Sequence, residues 1–132
     1  MPDAENLLDE SEIRSFLSSL AFVREFSISV VSLELGSVTV ELPFDERFSG
    51  PPSLFPASMV GTAGDVAAVA SCHTLMPKGW GLATLDFTIK MTGVARARHY
   101  ARCRWRQCKR RRLRSTLKGA PAFWAGFSLD LR

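Results

Sequence analysis

Residues 57–72 limit what this chain can fold into more than any other stretch. Ala57, Met59, Val60, Ala63, Val66, Ala67, Val69 and Ala70 spread around the whole wheel of a helix. A helix that is apolar on all sides is predicted to be buried. Gly61 and Gly64, three apart, permit close approach of a neighbouring backbone. Pro56 sits just ahead of the pattern, a favoured place for proline at a helix start. One charged residue interrupts the apolar surface, Asp65. Burying an unpaired carboxylate is costly, so Asp65 needs partners, a raised pKa or a function. Ser58 and Thr62 lie seven and three residues before it and share its helical face. They either line a common site with Asp65 or simply satisfy it.

The flanking segments supply what the helix packs against. Asp9 and Glu12 have capping-box spacing, and Ile13, Phe16, Leu17 and Leu20 follow a helical period, so a short amphipathic helix is expected there. Phe26, Ile28 and Val30 alternate with serines, the phase slips at Val31, and Leu33 and Leu35 resume it. A one-residue slip in a period of two predicts a bulged strand. Gly36-Ser37 marks a turn, and Val38, Val40 and Leu42 continue the alternation up to Pro43, which completes an antiparallel hairpin. Residues 43–56 read as a loop, as does the stretch containing Pro77, Gly79 and Gly81. Leu85, Phe87, Ile89 and Met91 predict a further strand. Ala101, Cys103 and Trp105 predict another, and Phe123, Ala125, Phe127, Leu129 and Leu131 a last one. The expected architecture is α+β, with an antiparallel sheet wrapped around one buried helix.

Length and composition fit one globular domain spanning residues 1–132, with 46% hydrophobic and 23% charged residues. No run of 18 apolar residues exists, which excludes a membrane-spanning helix. The acidic N-terminus does not resemble a secretory signal. Three cysteines do not make a disulfide framework, so a cytoplasmic location is expected. Cys72 reads as a small buried hydrophobe. Cys103 and Cys108 have no second pair, and neither His73 nor His99 has a Cys or acid at metal-ligand spacing, so no zinc site is expected. Gly79-Trp80-Gly81 lacks the helix and Lys-Ser/Thr of a phosphate loop. No Ser-His-Asp set can be assembled.

Order and spacing bring out a family resemblance. The run Phe48-Ser49-Gly50-Pro51-Pro52-Ser53-Leu54-Phe55-Pro56-Ala57-Ser58, followed by Gly64-Asp65-Val66-Ala67, resembles the hotdog-fold acyl-CoA thioesterases of the phenylacetate-degradation type. In that family a loop ends in His-Gly-Gly at the start of the central helix, and an acidic residue follows nine positions after the His. Here that offset runs from Pro56 to Asp65. Thr84-Leu85-Asp86-Phe87-Thr88-Ile89 resembles the family strand that begins with a small hydroxyl residue, and Met91-Thr92-Gly93-Val94-Ala95 its end. The resemblance covers about residues 10 to 96.

It implies a hotdog fold, homodimers or homotetramers, and active sites between subunits. It also implies hydrolysis of acyl-CoA with no cofactor, coenzyme A entering as part of the substrate. Asp65 takes the place of the catalytic acid, as general base or nucleophile. The Ala57 and Ser58 amides stand where the Gly-Gly amides hold the oxyanion. Thr84 matches the hydroxyl that positions water, expected from the partner subunit. Gly50 stands near a polar loop residue of the family. Pro56, Ala57 and Ser58 in place of His-Gly-Gly are departures from the pattern.

Charge opens other readings. Residues 1–95 carry 5 Lys+Arg against 12 Asp+Glu, whereas residues 96–132 carry 12 Lys+Arg and one acid, Asp130. Arginines interleaved with Tyr100 and Trp105 could track a nucleic-acid backbone or grip the phosphates of coenzyme A. They could also form a solvated basic face. The abrupt change of composition equally matches a shifted reading frame. The thioesterase reading therefore has two rivals: a hotdog protein that binds an acyl ligand without hydrolysis, and a basic nucleic-acid-binding module.

Overall fold

A computed structural model describes residues 7–50, 53–84, 100–106 and 126–130. The expected strand over 85–91 and the arginine run beyond Arg106 lie outside the described residues, as do His99 and Cys108.

Helix α1 spans Glu10–Ser19, and the capping box is present as expected: Asp9 accepts from the Glu12 amide while the Glu12 carboxylate accepts from the Asp9 amide. Ile13 and Leu17 are its buried residues. A five-residue helix, α2, follows at Ala21–Glu25. Arg24 ties the two together by donating to the Ser18 and Ser19 carbonyls (2.9 and 2.6 Å), which satisfies acceptors that a helix end leaves open.

Here the structure corrects the sequence reading, which placed Phe26 in a strand. α2 closes with a Schellman arrangement. Ile28 N–H donates to the Val23 carbonyl and Ser27 N–H to that of Arg24. Ser27 adopts the left-handed conformation, φ 54°. The apparent alternation Phe26-Ser27-Ile28 is thus a helix exit, and strand β1 begins at Ser29.

β1 (Ser29–Glu34) pairs antiparallel with β2 (Ser37–Pro43). Val30 faces Val40 and Ser32 faces Thr39, so Val31 is the extra residue of the predicted bulge. The turn is Leu35-Gly36, one residue earlier than expected, because Gly36 alone supplies the positive φ of 73°. A short 3-10 turn follows at Glu46–Phe48. Helix α3 spans Ala57–His73, then β3 (Tyr100–Arg106) and β4 (Gly126–Asp130) complete an antiparallel sheet of order β1-β2-β3-β4. β3 lies beside β2 with Val40 opposite Cys103, and Glu41 forms an ion pair with Arg102 across the two strands.

α3 packs against β2 and β3. Val38, Val40 and Leu42 meet Val60, Ala63, Ala67 and Ala70 in a core that excludes water completely. Small side chains on α3 let the helix settle close to the sheet. The turn of the hairpin is pinned to the far end of α3: Gly36 N–H donates to Thr74 Oγ1 (2.7 Å), whose hydroxyl donates to the Ser71 carbonyl. No helix among the described residues is long and apolar enough to cross a membrane.

Candidate functional site

The expectation of a helix buried on every side needs one amendment. Ser58, Thr62 and Asp65, spaced by four and three residues, form a stripe of α3 that the core does not cover. Phe22 of α2 and Phe26 at its C-terminus stand across from this stripe. Together with Ala57 and Gly61 they line an open cleft of about 460 Å³.

At one end of the cleft lies the N-terminus of α3. Its N-cap is Pro56, whose side chain makes no capping bond. The Pro56 carbonyl accepts from Met59 and Val60, at 3.1 and 3.3 Å. The Ala57 and Ser58 amides have no acceptor among the described residues. The first turn carries no acidic residue, so the helix itself supplies no charge to offset the positive end of its dipole. Two open amides and the positive end of a helix dipole suit a developing negative charge.

Two turns further on, Asp65 is half-buried. Thr84 Oγ1 donates to Asp65 Oδ1 at 2.8 Å. Oδ2 has no protein partner among the described residues and is left for a water or a substrate. The cost of partly burying the carboxylate is thus met by a hydroxyl partner nineteen residues along the chain. Within one chain, therefore, Thr84 and Asp65, both expected as site residues, are brought together. Thr62 Oγ1 donates to the Ser58 carbonyl (2.9 Å), so its hydroxyl proton is committed to the helix backbone.

Gly50 is not brought to the cleft. It is exposed, and a side chain there would meet nothing within 4 Å. Phe22, Phe26 and Gly61 line the cleft, and none was a candidate from sequence. The available signal was the helical period of Ile13, Leu17 and Leu20 carrying on to Val23, which would have extended the helical region to the two phenylalanines.

His73, at the opposite end of α3, belongs to the packing. It is buried, stacks on Phe16 with ring centroids 4.8 Å apart, and its Nδ1 has no hydrogen-bond partner among the described residues. Burial pushes its pKa below the ordinary value. Among the described residues no group of three or more His, Cys, Asp or Glu is placed to hold a metal ion.

No family model and no curated protein matches this sequence. Solved structures do. A thioesterase family protein from Silicibacter pomeroyi superposes with a TM-score of 0.69 at 19% identity, over 76% of this chain and 73% of that one. A phenylacetic acid degradation-related protein from Ralstonia eutropha gives 0.65 at 18%, over 76% and 80%. The E. coli PaaI protein of the phenylacetic acid degradation operon gives 0.61 at 13%, over 70% and 64%. These likenesses show the fold: this chain has the α+β hotdog arrangement, an antiparallel sheet packed around a central helix.

Proposed function

We propose that the protein is a cytoplasmic thioesterase that hydrolyses acyl-CoA to the free acid and coenzyme A. The observation that carries this reading is Asp65, oriented by Thr84 in a cleft that begins at two open helix amides. Asp65 Oδ2 accepts a proton from water as that water attacks the thioester carbonyl, or itself attacks as nucleophile to form an anhydride that water then hydrolyses to the free acid and the regenerated carboxylate. The Ala57 and Ser58 amides hold the oxygen that becomes negative. The thiolate of coenzyme A leaves and takes up a proton. Base, water and oxyanion donors suffice, so no metal or redox cofactor is needed.

Distance adds a requirement. Eight residues of helix separate Ala57 from Asp65, about 12 Å at 1.5 Å per residue. One carbonyl cannot meet both from the same helix, since attack needs contacts of about 3 Å. The homodimer implied by the family resemblance, alone or paired into a tetramer, would meet this requirement by setting the helix N-terminus of one copy against Asp65 of another.

The test is thiol release from a panel of acyl-CoAs by the wild type and by Asp65→Asn. Turnover that collapses in the variant supports the reading. Binding of acyl-CoA without turnover by folded protein would replace it with a non-catalytic acyl-binding role.

A further inference from the structure

The reaction outlined above uses neither of the phenylalanines that α2 brings to the cleft. Phe22 is 42% exposed, an open apolar surface beside a site that has to receive an apolar group. Covering a phenyl ring removes apolar surface from water and is favourable. Phe26 is held firmly. Its ring meets Phe48 edge to face, with centroids 4.9 Å apart and planes at 81°. The Arg47 guanidinium covers Phe48 at 5.0 Å from the ring centre. The Schellman turn at Ser27 fixes the backbone that carries Phe26. Gly61 lines the same cleft without a side chain. The cleft therefore has one fixed aromatic wall and one open aromatic wall.

We infer that Phe22 and Phe26 are specificity-determining residues that receive the apolar part of the acyl group. This rests on the thioesterase reading, because it assumes the carbonyl sits at the α3 cleft. A two-carbon acyl group is too short to cover Phe22. A bulkier one covers it and removes both surfaces from water.

The test measures binding, so that it stands apart from turnover. Two coenzyme A thioethers carrying a ketone, S-acetonyl-CoA and S-phenacyl-CoA, have no thioester bond to hydrolyse. Both are titrated calorimetrically into the wild type and Phe22→Ala. The wild type is expected to prefer the phenacyl compound. Phe22→Ala is expected to weaken that compound about tenfold and the acetonyl compound less than about twofold. Equal weakening of both ligands in Phe22→Ala, no weakening, or loss of self-association in its place would overturn the inference. Selective binding without hydrolysis of any acyl-CoA would overturn the thioesterase reading and leave the apolar wall standing. Binding of neither analogue by the wild type would overturn both.

Discussion

The sheet-facing side of α3 and its cleft-facing side run along the same seventeen residues under opposite constraints. Val60, Ala63, Ala67 and Ala70 are fully excluded from water, and their size is dictated by Val38, Val40 and Leu42 beneath them. Ser58, Thr62 and Asp65 touch no such surface. They present to the cleft an open amide, a hydroxyl turned back on its own backbone, and a carboxylate with one oxygen engaged. One helix thus serves as core on one side and as working surface on the other. A mutation should reveal which side it strikes by whether it changes stability or chemistry.

Asp65→Asn should give the largest effect and confine it to chemistry. Turnover of the preferred acyl-CoA is expected to fall by about 10²–10⁴. The melting temperature should barely move, because an asparagine oxygen still accepts from Thr84. Ala67→Leu should do the reverse. Extra methylenes in a filled core cost about 1–3 kcal/mol, read from urea unfolding, whereas Thr62→Leu on the cleft side should stay within about 0.5 kcal/mol. Thr84→Val removes the hydroxyl that orients Asp65. A single hydrogen bond of about 1 kcal/mol corresponds to a severalfold drop in kcat with stability unchanged.

Smaller effects sharpen the boundary of the cleft. Ser27→Gly relieves the left-handed backbone at the α2 exit and should stabilise by about 0.5 kcal/mol, after the greater freedom of glycine in the unfolded chain is deducted. His73 tests the core side by pH. Unfolded, it takes a proton near its ordinary value of 6.5; folded, burial holds its pKa lower. Between those two values the unfolded chain binds more protons, so stability falls as pH drops through that window and levels off below it. His73→Phe should flatten that part of the stability profile measured by denaturant titration from neutral to mildly acidic pH.

Much of the scaffold was legible in residue patterns. The capping box at Asp9 and Glu12 and the slip at Val31 are local signals, and each appears in the structure as a cap and a bulge. The apolar wheel over 57–72 located the central helix, with Asp65 as its one charge. Strands where Ala101 to Trp105 and Phe127 to Leu129 alternate were also readable. The cleft was not. Its far wall depends on the exit from α2, where Ser27 takes the left-handed conformation that a glycine would have advertised, so that Phe26-Ser27-Ile28 reads as strand alternation. The Thr84–Asp65 contact joins residues far apart in the chain, and no spacing rule encodes that approach. The open stripe of α3 likewise depends on where the sheet ends and not on the helix sequence.

The bulge at Val31 has a consequence for how the protein behaves in a crowded solution. Among the described strands, β1 lies at the end of the sheet order, where unpaired amides and carbonyls invite a strand from another molecule. Val31 interrupts the ladder and Arg14 Nη1 occupies the Val30 carbonyl at 3.0 Å. An incoming strand would find its hydrogen-bond register broken and one acceptor already taken. With Val31 46% and Leu35 64% exposed, this rim would otherwise be sticky. The kink and the guanidinium make it a poor template for fibrous growth.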